Sequence, residues 1–136
     1  MKKIAIAGAA HIHTPNFVKT LKGRADFEVA AVWDHDRARA EKYAAELGCP
    51  VRERAEQLWN DPSIDAVVIC SETNRHKELV LAAAAAGKHL FVEKPLGFSA
   101  ADAREMAEAI RRAGVLFQTG YFMRGSPVHQ ALKQLI

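Results

Sequence analysis

Apolar residues fall in short, nearly unbroken runs along this chain. Each run is followed by a small or polar turn and then by a stretch with helical spacing. The runs occupy 3–7, 27–33, 66–70, 89–92 and 115–118. Continuous runs of this length, without alternation, predict parallel strands covered on both faces. The helical stretches stop at Gly23, Gly48, Gly87 and Gly114, where a left-handed residue is expected to close each helix. Thr14 and Pro15 read as N-cap and first helical residue, and Ser99 with Asp102 three positions on reads as a capping box. A shorter helix is expected over 54–60, before the turn at Asp61 and Pro62, and a last one after Pro127. The alanines at 82–86 favour helix and let it lie close against a sheet. Strands alternating with helices predict an α/β fold, a doubly wound parallel sheet, with the switch in strand order beside the turn at Gly8.

Composition narrows the choice of partners. With 136 residues the chain fits one domain and can bury a real core. The net charge is only +3 and no basic run occurs, so no nucleic-acid partner is expected. No apolar segment approaches the length of a bilayer span, and no membrane association is expected. MKKIAIAGAAHIH imitates a secretory leader, but its apolar run is short and contains a glycine, and another folded element follows it. A cytoplasmic protein is the expectation. Cys49 and Cys70 lie far apart among apolar neighbours and read as buried thiols in a reducing compartment.

The first run ends in Gly8, as the dinucleotide fingerprint Gly-x-Gly-x-x-Gly begins, but Ala10 and His13 take the second and third glycine positions. The N–H groups and dipole of the helix that follows suit a pyrophosphate. A tight turn with no ligand explains the glycine equally well. Asp34 ends the second run, where an acidic residue hydrogen-bonds the adenine ribose hydroxyls. Its charge opposes a 2′-phosphate, which favours NAD over NADP, and Arg37 is the residue that could reverse the preference. A helix N-cap is the plain alternative for Asp34, a role Asp36 could fill as well.

His11 and His13 could ligate zinc, but they stand two apart with no Cys or Glu at supporting spacing. No metal is expected. His11 should line the loop and His13 should fill space against the sheet. In GKHLFVEKPLG, Glu93 and Lys94 follow an apolar strand at its carboxyl end, where open α/β sheets bind ligands. An amine there is partly desolvated and suited to proton transfer with a hydroxyl, although a surface ion pair would also account for the dipeptide. Neighbours on a strand point to opposite faces, so Glu93 and Lys94 should not neutralise each other.

The stretch CSETNRHKELVLAAAAAGKHLFVEKPLGFSAADAREMAEAIRRAGVLFQTGYFMR resembles the glucose–fructose oxidoreductase/inositol dehydrogenase (Gfo/Idh/MocA) family. The likeness rests on a strand ending in Glu-Lys-Pro after an Ala-rich helix and Gly-Lys-His, and it extends over essentially the whole chain. It implies a Rossmann domain over 1–124 that binds NAD(H) or NADP(H). Residues 125–136 would open the connection to an α/β domain absent from this sequence. The implied reaction is hydride transfer between a nicotinamide and the hydroxyl or ketone carbon of a small-molecule sugar or cyclitol.

Position by position, the resemblance implies that Gly8, Ala9, Ala10, His11 and Ile12 form the pyrophosphate loop and that Asp34, with His35, takes the adenine ribose. Ser71, Glu72 and His76 answer to the family's Thr-Pro-x-x-x-His segment. Glu93 and Lys94 would flank the nicotinamide ribose, with Lys94 the catalytic contact to the reacting hydroxyl, and Arg124 would lie near nicotinamide and substrate. The chain departs from the pattern at Ala10 and His13, at Glu72 for proline, and at Phe122 where asparagine is common. The family's further acid/base partners, an Asp and a His of the second domain, are not in this sequence. That leaves a non-catalytic NAD(P)-binding regulatory or sensor module as the rival reading. The resemblance also leaves room for a homo-oligomer.

Overall fold

Ile4 and Ile6 face one side of the first strand, Ala5 and Ala7 the other, and all four are buried in the computed structural model, which describes residues 1–136. That strand, β1 (Lys2–Ala7), is an interior strand of a parallel sheet. Around it run β2 (Phe27–Trp33), β3 (Ala66–Ile69), β4 (His89–Val92) and β5 (Phe117–Thr119), in the order β2-β1-β3-β4-β5. Val51 adds a one-residue parallel bridge to Val32 on the outer side of β2. Counting that bridge gives the six-position order 3-2-1-4-5-6 of dinucleotide-binding sheets. The chain leaves β1 toward β2 and later returns to the other side of β1 as β3. The switch point therefore falls at the carboxyl end of β1, beside Gly8, as expected.

Helices cover both faces. On one, α1 (Thr14–Lys22) and α2 (Arg37–Leu47) bring Val18, Ala40, Tyr43 and Ala44 against Ile4, Ile6, Val32 and Val68. On the other, α3 (Glu56–Trp59), α4 (Thr73–Ala85) and α5 (Ala100–Ala113) pack Leu58, Leu79, Val80, Met106 and Ile110 against Ala5, Ala7, Val67, Ile69 and Leu90. Ala83 and Ala84 are fully buried there, so the alanine run does bring a helix close to the sheet. Lys77 ties α4 to α5 through Asp102 and Glu105. A 3-10 turn, Phe122–Gly125, and a last helix, α6 (Pro127–Gln134), follow β5.

Several local expectations shift. Gly48, Gly87 and Gly114 are left-handed, but Gly23 has φ −82° and closes α1 in an ordinary right-handed conformation. The N-cap of α1 is His13, one residue before the expected Thr14, and Thr14 is buried inside the first turn. Ser99 does cap α5, its hydroxyl accepting from the Asp102 N–H at 3.1 Å. The helix expected over 54–60 shortens to Glu56–Trp59. The last strand begins at Phe117, two residues later than its apolar run, because Val115 and Leu116 belong to the approach from α5. Cys49 and Cys70 are free thiols. Burial and the nearby Glu93 carboxylate push the Cys70 thiol up to about 12. No helix is long and apolar enough to cross a membrane.

Candidate cofactor site

The turn after β1 is held by its own backbone. Gly8 has φ +77°, its N–H donates to the Trp33 carbonyl at 2.7 Å, and a Cβ there would lie 2.4 Å from Ser71 Cβ. Only a glycine allows the loops after β1 and β3 to approach this closely. The His11 N–H then donates to the Cys70 carbonyl at 2.8 Å, fastening the loop across the switch point. Ala9 is buried, Ala10 half-buried, and Ile12 stands exposed at the loop tip.

One end of the site is organised by Asp34. Its side chain is fully buried and accepts from the Ala9 N–H at 2.7 Å and the Asp36 N–H at 2.8 Å. It also pairs with Arg39 Nε at 3.1 Å and lies 3.2 Å from His35 Nδ1. Arg39 continues to Glu72 Oε1 at 3.4 Å and to Asp36 Oδ2 at 3.7 Å. The other Glu72 oxygen is buried without a hydrogen-bond partner. Asp36 is the N-cap of α2, accepting from the Arg39 N–H, so Asp34 is left for the loop. Arg37, the expected modifier of cofactor preference, points away to Glu41 and Glu53. Arg39 is the arginine beside Asp34, missed by the sequence reading. Its signal is local: it is the third residue of the helix that Asp36 caps.

The other end is organised by Glu93, whose side chain is 1% exposed. Oε2 accepts from the Lys94 N–H at 2.9 Å. Oε1 lies 3.2 Å from His13 Nδ1 and 3.8 Å from His11 Nδ1. The histidines do have a carboxylate beside them, one that lies far off in the sequence. His13 also departs from its expected place, because it does not fill space against the sheet but lines a groove of about 430 Å³ with Phe17, Phe91, Glu93, Gly120 and Phe122. Gly120 was missed: a Cβ there would meet Glu93 Oε2 at 2.8 Å, so the glycine lets β5 close over the carboxylate. Burial lowers the His11 pKa, and the Glu93 charge opposes that shift.

Lys94 is half-buried and its ammonium has no hydrogen bond or ion pair within the chain, so Glu93 does not neutralise it. The Lys94–Pro95 peptide is cis. His76 is fully buried, with Nδ1 3.0 Å from the Pro95 carbonyl and Nε2 3.2 Å from the Ser71 carbonyl. It therefore joins the loop after β3 to the loop after β4. Lys88, the lysine of Gly-Lys-His, is also buried and donates to the Asp61 and Ile64 carbonyls at 2.7 and 2.9 Å, bracing the turn before β3. Arg124 sits in the exposed 3-10 turn with its guanidinium 5.9 Å from the Tyr121 ring.

Comparison with known proteins gives a concordant picture. The model of the family described as "Oxidoreductase family, NAD-binding Rossmann fold" matches residues 2–121. Myo-inositol 2-dehydrogenase of Thermotoga maritima is 35% identical over 135 residues, which are 98% of this chain and 40% of that protein. The solved structure of scyllo-inositol dehydrogenase from Lactobacillus casei, with NAD(H) and scyllo-inositol bound, superposes with a TM-score of 0.86 at 26% identity, covering 99% of this chain and 40% of that one. Biliverdin reductase of Synechocystis, solved with biliverdin and NADP+, gives 0.84 at 26% identity over 97% of this chain and 42% of that one. The matched residues span 23–41% of the length of these curated relatives.

Proposed function

Because the chain belongs to the Gfo/Idh/MocA oxidoreductase family, with its NAD-binding Rossmann fold, we propose that it is the cofactor-binding part of an enzyme acting on sugars or cyclitols. The reaction is hydride transfer between a nicotinamide and a carbon that alternates between hydroxyl and ketone. One observation carries this reading: the Gly8 turn stands at the switch point with a buried carboxylate on each side, Asp34 and Glu93. A dinucleotide laid across that turn meets an acceptor for the adenosine ribose at one end and for the nicotinamide ribose at the other.

In this reading the loop Gly8, Ala9, Ala10, His11 and Ile12 cradles the pyrophosphate: Ala10 and Ile12 present uncommitted backbone N–H groups, while the N–H groups of Gly8, Ala9 and His11 are bonded to Trp33, Asp34 and Cys70 and hold the loop in shape. Asp34, His35 and Glu72 face the adenosine, while Ser71 and His76 set the loop beneath it. Glu93 takes the nicotinamide ribose. Lys94 is the catalytic residue, its ammonium free to hydrogen-bond the reacting oxygen and to hold a proton there. Arg124 lies toward the substrate, and the exposed apolar residues Val128 and Leu132 of α6 support 125–136 as the start of a connection to a further segment. The two free thiols support a cytoplasmic setting.

NAD is the preferred cofactor. Asp34, Asp36 and Glu72 surround the single guanidinium of Arg39, so the local charge opposes a 2′-phosphate. Titration of the chain with NADH and with NADPH, followed by nicotinamide fluorescence, tests this. NADH should bind at least about tenfold tighter. Tighter NADPH binding overturns the preference, and binding of neither overturns the cofactor reading.

A further inference from the structure

We propose that His11, His13 and Glu93 form a binding site for one divalent transition-metal cation of the zinc class. The proposal stands on the side-chain geometry and does not require the cofactor reading. One ligand atom from each of the three residues lies within 4.8 Å of the other two. Glu93 Oε1 is 3.2 Å from His13 Nδ1 and 3.8 Å from His11 Nδ1. Tetrahedral ligands at about 2.0–2.1 Å from a zinc ion stand roughly 3.3–3.5 Å apart, so small side-chain rotations suffice to close the set. The sequence spacing that argued against a metal loses its force here. His11 lies in the turn and His13 caps α1, so the two imidazoles need not share a helix face. Their rings meet at 72° with centroids 4.8 Å apart, edge to face and unstacked.

The second observation is the state of Glu93. Its side chain is 1% exposed, and no Lys or Arg pairs with it. A buried carboxylate without a cationic partner is costly, and a metal ion supplies the missing charge. Oε2 is fixed by the Lys94 N–H, and Oε1 is turned toward the histidines, hydrogen-bonded to His13 Nδ1 at 3.2 Å, a bond that a metal ion between the two atoms would replace. His11 Nδ1 accepts only a long bond, 3.3 Å, from the His13 N–H, and coordination would take that lone pair in its place. Two histidines and one glutamate leave a fourth position open. His13 and Glu93 line the 430 Å³ groove, so that position faces it and takes water or a hydroxyl oxygen. Lys94 and the start of α1 add positive charge nearby, so affinity depends most on the Glu93 carboxylate.

The test uses the 136-residue chain freed of metal by a chelator and titrated with Zn2+ by calorimetry and with Co2+ by visible absorption. One ion should bind per chain, with d–d absorption of a four-coordinate cobalt site and a rise in melting temperature that chelator reverses. His11→Gln and His13→Gln should each weaken binding at least about tenfold, and Glu93→Gln more. His129→Gln, in exposed α6, should leave it unchanged. Independently of any variant, Zn2+ should shift the ring resonances of His11 and His13 and spare the other four of the six histidines. Absence of saturable binding overturns the proposal, as does binding that shifts other rings or survives both histidine substitutions. NADH titration with chelator present separates the two readings. NADH bound without Zn2+ binding removes the metal site alone, and Zn2+ bound without NADH binding removes the cofactor reading alone.

Discussion

The two ends of the candidate site each bury a carboxylate, and they treat it differently. Asp34 is answered by two backbone N–H groups and a guanidinium, so its charge is compensated within the chain. Glu93 has one backbone N–H, two imidazoles nearby and no fixed cation. Compensation makes the first carboxylate part of the scaffold: it ties the loop after β1 to the start of α2 whether or not a ligand is bound. The second is left short of positive charge in a place that opens to a groove. A buried charge in that state is available to whatever enters, because a ligand's donors or a cation repay a desolvation cost already incurred by folding.

The largest break in this arrangement comes from the residue that holds both ends in register. Gly8→Ala forces a side chain into a left-handed backbone and against Ser71. The two penalties together amount to about 2–4 kcal/mol. Chemical denaturation should show that loss, and NADH binding should disappear with it. Asp34→Ala comes next. It leaves the Ala9 and Asp36 N–H groups without their acceptor and should cost about 1–3 kcal/mol. It also frees Arg39 from its nearest carboxylate, so the NADH-to-NADPH affinity ratio should fall at least about tenfold. If the ratio holds while stability drops, Asp34 is scaffold only and Glu72 sets the preference.

The two ends were not equally legible in the sequence. The strand before Gly8, Asp34 at the end of β2 and Glu93-Lys94 at the end of β4 could all be read, because each is a local pattern of strand and turn. Arg39 escaped because its role depends on the direction of its side chain from the first turn of α2, and Arg37 has the same spacing credentials. The meeting of His11 and His13 with Glu93 joins residues 80 or more positions apart, and only the strand order brings them together. Gly120 was invisible for a similar reason: nothing beside it in the chain reveals the carboxylate it covers. Gly23 shows the reverse error, a glycine at a helix end whose backbone any residue could adopt.

Gly120→Ala sharpens the comparison from the other end. The added methyl would meet Glu93 Oε2 at 2.8 Å, but the neighbour is the end of a side chain, which can rotate. The expected loss is about 1 kcal/mol, smaller than for Gly8, where the clash is with Cβ and backbone. Displacing Glu93 should nonetheless weaken NADH binding several-fold and leave the NADH-to-NADPH ratio unchanged, since the adenosine end is untouched. A change in that ratio would mean the ends are coupled through the loop.

Lys94→Met should have the smallest effect on this chain and the largest on chemistry. The Lys94 ammonium holds nothing within the fold, and methionine keeps most of the apolar stem. Stability should therefore change by less than about 0.5 kcal/mol, within the range of surface substitutions. NADH affinity should stay within a few-fold, because Glu93 keeps its bond to the backbone N–H of residue 94, which the substitution does not remove. Turnover, measured in a protein that also carries the substrate-binding segment, should fall on the order of 10²–10⁴-fold if the ammonium serves the reacting oxygen. The contrast with Asp34→Ala is then complete, with one change costing structure and the other only rate. Loss of NADH affinity in Lys94→Met with turnover at saturation preserved would make Lys94 a ribose or phosphate anchor, and the nicotinamide end would be recognition surface like its counterpart.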